Sequence, residues 1–506
     1  MSVGEVNAGA GSGASFCPVE RRRYVLTAAI LASSMGFIDG SVISIAIPAI
    51  RADLGATLAD AQWISNGYML FLGSLILLGG ATGDRFGLRL VFGLGIGAFV
   101  VASIGSAVAP TPILLVVARA VQGIGAAFMV PGSLAIIAKA YPRAERGRAI
   151  GTWAAAAALT TIMGPIIGGG VLTWLGDWGW RLVFAINLPL GGVALWLLWA
   201  KVPDDEPGPT RHLDVVGAVL ASIGLLALVF GLTGDGSDSV PALSHTVLYG
   251  GIGGVILAAF LVWEARVKVP MLPLRLFASK GFSGAQALTF VLYFSLSGVL
   301  FFLPMTVIAG WGATPAEVAL VMLPFGAMLT VLARFSGSLA DRFGAGWPIT
   351  IGALLVSLAC VGLGYTAHWQ ALWLGTMPAI IVLGIGMGLV VSPLSTAVMT
   401  SIDDNDTGLA SGINNAVSRI AGLVAVAMLG PIVTSVFEQS LGSAAELAIF
   451  FGLPPAEALS PTNEVLRLTA TNTAFATIAY IMAALSLVSA LIGWWTLDRR
   501  PVAAPP

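Results

Sequence analysis

The sequence predicts an all-α polytopic membrane protein, and its composition and hydropathy both support that class. Hydrophobic residues make up 57% of the 506 residues and charged residues only 10%, whereas soluble domains are about 25% charged. The mean hydropathy is +0.93. The 63 glycines suit close packing of helices in lipid. Such a chain is expected to fold as a bundle of membrane-spanning helices.

Span counting predicts fourteen transmembrane helices, because a bilayer core needs about 20 apolar residues per helix. The predicted windows are 24–49, 62–81, 90–109, 112–139, 149–172, 181–201, 213–233, 246–263, 282–309, 316–337, 347–366, 370–399, 408–435 and 473–497. Segments 1–23 and 498–506 are predicted as tails, the first of them disordered. The longest loop, 437–471, is expected to form short helices around Pro454 and Pro455.

Lys and Arg residues are distributed unequally between the two ends of the predicted spans. With the N-terminus placed in the cytoplasm, 18 of the 24 fall in cytoplasmic segments, three outside and three within spans. Loops that carry positive charge stay in the cytoplasm. The pattern therefore predicts a multi-pass protein of the cytoplasmic (inner) membrane with both termini in the cytoplasm.

A short charged turn occurs twice, half a chain apart. Its glycines and charges recur 257 residues later, as Gly80, Asp84, Arg85 and Gly87 and then as Gly337, Asp341, Arg342 and Gly344. Only the first copy is followed by a second arginine, Arg89. The repeat predicts two six-helix halves, 24–201 and 282–497, with a linker, 202–281, that carries two inserted helices. Repeated halves are typical of secondary transporters, with a substrate site at their interface.

Four stretches carry a resemblance to a known family. The stretches "GGATGDRFGLR" (79–89), "LLVVARAVQGIGAA" (114–127) and "GTWAAAAALTTIMGPIIGG" (151–169) resemble motifs A, B and C of the major facilitator superfamily. "IDGSVISIAIP" (38–48) resembles the first-span motif of its fourteen-span drug:proton antiporters, the EmrB/QacA type. The resemblance implies the major facilitator fold, two six-helix halves plus two inserted helices.

The resemblance also implies roles for the repeated turn and for motif C. The two turns are expected to hold the halves together on the cytoplasmic side, with Asp84 and Asp341 capping a helix or pairing with an arginine. A plain positively charged turn is the alternative. Motif C is associated with exchange, and its small residues suit close packing around a proline kink. Its matching residues here are Gly151, Thr160, Gly164, Pro165, Gly168 and Gly169.

Asp39 and Arg119 are the candidate proton-coupling residues. Asp39 is the only acidic residue well inside a predicted span, and a charge at that depth is a functional candidate by default. At about 1.5 Å per residue, both side chains lie at a similar depth in the outer half of the bilayer. The equivalent positions of the second half hold Ser295 and Ile380, so coupling is predicted to belong to the first half. A structural ion pair is the alternative.

Arg419 and Asn415 lie four residues apart on one face of the thirteenth span. Contact with substrate and contact between helices both remain open for them.

The motifs favour a transporter over an enzyme. The sequence has no phosphate-binding loop and no nucleophile elbow, and no cofactor, metal site or nucleic-acid partner is predicted. We expect a monomeric antiporter, embedded in the lipid bilayer, that exports amphipathic small molecules by alternating access. Protons are expected to be the coupling ion. The alternatives are transport of a specific metabolite, lipid or siderophore, uptake by symport, and a non-transporting membrane sensor. A periplasmic adaptor stays an open question.

Overall fold

A computed structural model describes residues 16–205, 212–234, 243–403, 406–442, 449–455 and 457–497. Within these residues fourteen helices are long and apolar enough to cross a membrane, and no strand is found. The helices are α1 Val19–Leu54, α2 Leu58–Phe86, α3 Leu88–Ala107, α4 Pro112–Ala140, α5 Arg143–Leu175, α6 Asp177–Lys201, α7 Val215–Thr233, α8 Leu243–Glu264, α9 Lys280–Gly310, α10 Pro315–Phe343, α11 Gly346–Trp369, α12 Leu372–Thr400, α13 Thr407–Leu441 and α14 Pro461–Thr496. The prediction of an all-helical fold with fourteen spans is confirmed.

Most of the helices are longer than the predicted spans, and the starts of α1 and α14 are two examples. Helix α1 begins at Val19, so the predicted tail is already helical before residue 24; residues 1–15 and the tail 498–506 lie outside the described residues. Helix α14 begins at Pro461, where the Ser460 side chain accepts a hydrogen bond from the Asn463 amide. The sequence windows follow apolar length, whereas a helix continues until a cap or a proline ends it.

Because α14 begins so early, the predicted long outer loop is shorter than expected. Helix α13 continues to Leu441, and the chain between it and Pro461 has no helix around Pro454 and Pro455 in its described residues. The expected short helices are therefore not found among the described residues, and residues 443–448 of that stretch lie outside them. The polar residues assigned to that loop instead form the first turns of α14, which extend beyond the apolar part of the helix.

The even number of spans places both ends of the bundle on one face. We call the face where α1 begins and α14 ends the termini face, and the other the opposite face. Ion pairs join neighbouring helix ends on the termini face: Arg22 at the start of α1 pairs with Glu145 at the start of α5, 3.0 Å away. Arg275 pairs with Asp406, 2.9 Å away, just before α9 and α13 begin.

The two halves repeat a close helix contact. Gly123 on α4 packs against the Tyr68 backbone of α2, so closely that a Cβ atom there would overlap it. Gly384 on α12 does the same on α10, where a Cβ atom would lie 2.9 Å from the Phe325 Cα. Glycine is required at both positions because the backbones themselves touch. Gly123 and Gly384, each the first glycine of a "GIG" stretch, thus make the same kind of contact in each half.

The inserted helices pack against the seam between the halves. Leu225 and Val229 of α7 form one buried cluster with Leu70 of α2 and Leu423 of α13. The Ser222 hydroxyl of α7 also donates a hydrogen bond to Ser74 of α2, 2.9 Å away. Helix α8 packs mainly on α7. The insertion therefore covers one side of the interface without entering its centre.

Candidate functional site

A central cavity of about 490 Å³ lies between the halves. Helices α1, α2, α4 and α5 contribute its wall from one half, and α9, α10 and α13 from the other. The aromatic side chains on the wall are Phe37, Tyr68, Trp153, Phe301 and Phe325. Small hydroxyl residues lie between them, and Arg419 is the one Asp, Glu, Lys or Arg residue among the lining residues. The cavity is therefore largely apolar, aromatic and weakly positive.

The cavity is closed toward the opposite face. There α5 and α10 touch closely: a Cβ atom at Gly169 would lie 2.7 Å from the Pro315 carbonyl oxygen. The Thr173 hydroxyl accepts a hydrogen bond from the Ala316 amide, 3.0 Å away. Arg51 at the end of α1 donates to the Phe451 carbonyl oxygen at 2.6 Å. These contacts join the two halves and seal that side of the interface.

Toward the termini face the same two helices separate. The glycine contact between α5 and α10 that lies nearest the termini face joins Ile162 and Gly326, where a Cβ atom would lie 3.0 Å from the Ile162 side chain. Beyond that level both helices expose one side, namely residues 151, 152, 154 and 155 of α5 and 334, 335, 338 and 339 of α10. The exposed sides of α5 and α10 beyond this level indicate an opening toward the face that carries both termini.

Asp39 and Arg119 form a buried ion pair in the first half. One guanidinium nitrogen of Arg119 lies 2.8 and 2.7 Å from the two carboxylate oxygens of Asp39, and the two residues are 1% and 2% exposed. The Arg119 Nε–H also donates to the Ile64 carbonyl oxygen, 3.1 Å away. The pair joins α1 to α4 and α2, so removing either charge leaves the other buried without a counterion.

Neutral polar side chains extend this pair toward α3 and α6. Gln122, one turn after Arg119, accepts from the guanidinium at 2.6 Å and donates to Asp39 at 3.1 Å. It also donates to Ser103 on α3, 2.9 Å away. Asn187 on α6 donates to the same Ser103 hydroxyl at 3.2 Å. The sequence motif contained Gln122, but its spacing gave no reason to connect Ser103 and Asn187 to it.

The second half has no such pair at the equivalent positions. Ser295 is buried and its hydroxyl donates to the Val291 carbonyl of its own helix, 3.1 Å away. Ile380 is completely buried in the apolar core. The two halves therefore share a scaffold, and the intramembrane charge pair lies in the first half only, as far as the described residues show.

Three glycines of motif C place α5 against two different helices. Gly164 and Gly168 pack against Ser41 and Val42 of α1, where a Cβ atom would overlap the neighbouring side chain. Gly169 faces Pro315 on α10, in the other half. Pro165 lines the cavity. Helix α5 thus connects the helix that carries Asp39 to the seal between the halves.

The remaining two motif C positions behave differently. Thr160 donates to the Ala156 carbonyl of its own helix and lies 3.3 Å from the Ser34 hydroxyl of α1, so it belongs to the same α1–α5 contact. Gly151 is exposed, and a Cβ atom there would have no neighbour within 4 Å. A packing role expected for Gly151 from the motif is therefore absent in this conformation.

The first charged turn is organised around a residue that the sequence reasoning missed. Both Asp205 oxygens accept hydrogen bonds at 2.9 Å, from the Leu88 and Arg89 amides that begin α3. Lys139 at the end of α4 donates to it at 2.8 Å. Burial alone would raise the pKa of Asp205, but the hydrogen bonds from Lys139 and the two amides outweigh it and hold the pKa below its ordinary value. Asp205 therefore caps α3.

The predicted cap, Asp84, is exposed and has no hydrogen bond or ion pair in the described part of the chain. Arg89 points elsewhere, to the Leu198 and Trp199 carbonyls and to Asp204. Asp84 and Asp205 are separated by over 100 residues, so a local pattern could not distinguish them. The assignment of Asp84 as a cap does not hold in this conformation.

The glycines of the first charged turn also need one reassignment. Gly87 has φ 96°, as the predicted tight turn requires. Gly80 has room for a Cβ atom, with its nearest neighbour 3.8 Å away, whereas at Gly79 a Cβ atom would overlap the Ala127 carbonyl. The close helix approach therefore belongs to Gly79, the residue just before the repeated Gly80. A one-residue shift turns a helix by 100°, enough to change the neighbour.

The second charged turn keeps the backbone shape of the first without its network. Gly344 has φ 82° and Gly337 lies close to Ser392, with a Cβ atom at 3.1 Å. Asp341 and Arg342 are exposed. A basic turn that simply faces the headgroups accounts for what is seen here.

Arg419 and Asn415 both line the cavity. The Asn415 amide donates to the Ser411 carbonyl of its own helix, 3.1 Å away. The described residues provide neither a carboxylate nor a hydrogen-bond acceptor for the Arg419 guanidinium. Of the two interpretations left open by the sequence, contact with a molecule in the cavity is therefore the one that this geometry favours.

Comparison with protein families agrees with the fold and the motifs. The family model described as "Major Facilitator Superfamily" matches residues 29–426. The chain belongs to the major facilitator superfamily. The prediction of this family is thereby confirmed, and the protein is a multi-pass membrane transporter rather than an enzyme.

Several curated members of the superfamily resemble the chain over most of its length. The "Probable actinorhodin transporter" of Streptomyces coelicolor is 31% identical over 452 residues, which cover 87% of this chain and 76% of that one. The "Tetracenomycin C resistance and export protein" of Streptomyces glaucescens is 32% identical, covering 84% and 79%. "Multidrug resistance protein Stp" of Mycobacterium tuberculosis is 29% identical, covering 85% and 79%.

Solved transporters share the fold at low sequence identity. A bacterial homologue of the human lysosomal transporter Spinster, in an inward-facing and occupied conformation, has a TM-score of 0.69 at 17% identity, covering 95% of this chain and 97% of that one. A D-xylose-proton symporter has a TM-score of 0.64 at 16% identity, covering 94% and 98%. These similarities establish the major facilitator fold.

Proposed function

We propose that the protein is a proton-coupled antiporter that exports amphipathic small molecules across the cytoplasmic membrane by alternating access. The observation that carries this proposal is the buried Asp39–Arg119 pair beside an aromatic cavity. The names of the relatives, which describe export and multidrug resistance, support the direction and the substrate class. The Lys and Arg distribution supports a cytoplasmic termini face, so the structure corresponds to an inward-facing state.

Protonation of Asp39 is the step that couples the proton to the conformation. A protonated Asp39 no longer balances the Arg119 charge, and a buried guanidinium without a counterion is costly. The protonated protein therefore favours a different arrangement of α1 against α4. In this proposal the proton arrives from outside, and its release toward the cytoplasm restores the ion pair seen here.

Helix α5 transmits the change at Asp39 to the seal. Gly164 and Gly168 hold α5 against α1 within one turn of Asp39, and Gly169 holds it against α10. A shift of α1 therefore moves α5, and with it the surface of α5 that packs on α10 and closes the opposite face. Since packed interfaces have discrete arrangements rather than continuous ones, this linkage supports exchange between two states.

Transport driven by an imposed pH gradient tests the proposal. Purified protein is reconstituted in liposomes with an acidic lumen, and three probes without titratable groups are added outside: 9-anthracenesulfonate, 9-anthracenemethanol and (9-anthracenylmethyl)trimethylammonium. Antiport moves a probe toward the acidic lumen while protons leave it, and at least one probe should accumulate there. Net loss of a preloaded probe from the acidic lumen would indicate symport instead. No gradient-dependent movement of any probe would support a non-transporting sensor.

A further inference from the structure

The guanidinium of Arg419 is a cation on the cavity wall for which the described residues provide no acceptor. Two buried arginines of the bundle have acceptors: Arg119 pairs with Asp39, and Arg467 binds Glu464 and two backbone carbonyls. The hydrogen bonds of Asp39 go to Arg119 and Gln122, and none goes to Arg419. Arg419 is therefore positioned for a partner that the protein itself does not supply.

Packing of α13 against its neighbours, rather than an ion pair, fixes the position of Arg419. Its Cβ atom packs against Gly73 of α2, where a Cβ atom would lie 3.2 Å away, and Ile420 beside it joins the apolar cluster under α7. These contacts hold the start of the side chain, and its charged end is left to the cavity. A residue whose only task was to join α13 to α2 would not need a guanidinium at this position.

The chemistry of the wall defines what Arg419 can bind. A guanidinium presents its N–H groups in a planar fork that matches the oxygens of a carboxylate or sulfonate. Five aromatic side chains and several small hydroxyls form the rest of the wall. In a partly desolvated cavity a single positive charge attracts anions and repels cations more strongly than in water.

We infer that Arg419 binds the acidic group of an aromatic, singly negative amphiphile, and that such anions are the preferred substrates of this transporter. The inference rests on the proposed function, since it names the substrate class of the same cavity. In it, the aromatic body of the substrate packs on side chains such as Phe37 and Trp153. The acidic group of the substrate contacts Arg419 on α13, in the half that does not carry the proton-coupling pair.

Equilibrium binding tests the inference without requiring transport. Anthracene fluorescence anisotropy measures binding of the sulfonate, the alcohol and the ammonium probe to the purified protein in detergent. We expect the sulfonate to bind tightest. Arg419→Gln should weaken sulfonate binding about tenfold or more, the size of one lost charged hydrogen bond, and change alcohol binding less than about twofold. Arg419→Lys should retain part of the preference.

The control replaces another arginine of a span, Arg334, which is exposed on α10 and does not line the cavity. Arg334→Gln should bind all three probes like the wild type. An equal loss of all probes in Arg419→Gln, together with a lower melting temperature, would show that Arg419 only joins helices and would overturn the inference. Unchanged sulfonate binding in a folded Arg419→Gln protein would overturn it as well.

The electrical charge moved per cycle provides a second readout. With one proton entering through Asp39, export of a monoanion moves two positive charges inward, a neutral probe moves one and a monocation moves none. Clamping the membrane potential with valinomycin and potassium should therefore affect sulfonate transport most. Gradient-driven transport of the alcohol alone would leave the antiport proposal intact and overturn this inference. Selective sulfonate binding without any flux would overturn the antiport proposal and leave only the anion-binding role of Arg419.

Discussion

Tyr68 separates Arg119 from the central cavity. Its ring lines the cavity, and its centroid lies 4.4 Å from the guanidinium carbon of Arg119, which is itself 1% exposed. The geometry is that of a cation–π contact. One aromatic side chain therefore stands between the buried ion pair and the space available to a substrate.

Replacing Tyr68 should show whether its ring or its hydroxyl group separates the ion pair from the cavity. Tyr68→Phe keeps the ring over Arg119 and should transport like the wild type, whereas Tyr68→Ala opens the ion pair to water in the cavity. We expect Tyr68→Ala to conduct protons without substrate, which a pH-sensitive dye inside proteoliposomes would record. If both variants leak equally, the hydroxyl rather than the ring forms the barrier.

Asp39→Asn should abolish transport driven by a pH gradient, because the amide cannot carry the proton. The protein should still fold and insert, because the amide keeps the shape of the carboxylate, but its melting temperature should fall, because Arg119 loses its counterion. Ser295→Ala, at the equivalent position of the second half, is the matched control and should transport normally. Uphill transport by Asp39→Asn at the wild-type rate would refute the assignment.

Arg119→Ala should also abolish transport driven by a pH gradient, because it removes the other member of the ion pair. It also leaves Asp39 buried without a counterion, and breaking a buried pair in this way costs about 3–5 kcal/mol. We therefore expect both a lower melting temperature and lost coupling, measured on the same purified sample. A variant that only expresses less, with normal coupling per folded molecule, would make Arg119 structural.

Enlarging Gly169 should open the seal at the opposite face. A side chain there meets the Pro315 carbonyl, so Gly169→Leu should push α5 away from α10 and favour the outward-facing state. The readout is labelling of Ser65→Cys, a cavity-lining position, by an impermeant maleimide added outside cells. Gly151→Leu, with open space around it, should not raise labelling.

The two copies of the charged turn should contribute unequally to closure of the termini face. Asp84→Asn should weaken closure of the termini face and shift the population toward the inward-facing state, seen as faster labelling of cavity cysteines from the cytoplasmic side. Asp341→Asn should do less, because its turn lacks the hydrogen-bond network that orders the first turn. An equal or larger effect at Asp341 would reverse this ranking.

Asp205 should make the stability of the first half depend on acid. Its pKa is lower in the folded protein than the ordinary value of 3.8, so its stabilisation is complete above that value and is lost as the pH falls through the folded-state pKa. Asp205→Asn should therefore melt below the wild type at pH 7, with the difference shrinking in acid. The exposed neighbour Asp204 supplies the control, since Asp204→Asn should show a smaller difference.

The sequence by itself determined the class, the span count and the repeat. These follow from apolar runs, from the positions of Lys and Arg and from the recurring turn, all of which are local along the chain. The glycine at each turn was also predictable, since Gly87 and Gly344 need a positive φ. The family was recognisable for the same reason, because its motifs are short and contiguous.

Only the tertiary structure decided which partners meet. The depth of Asp39 and Arg119 allowed a contact, but Gln122, Ser103 and Asn187 joined it through the packing of four helices. Asp205 replaced Asp84 as the cap because the chain returns to α3 after more than a hundred residues. A sufficiently long apolar run predicts that a helix crosses the bilayer, whereas the rotation of that helix about its own axis depends on close contacts with its neighbours. On α2, for example, Gly79 touches the Ala127 carbonyl, whereas Gly80, one residue later, has room for a Cβ atom.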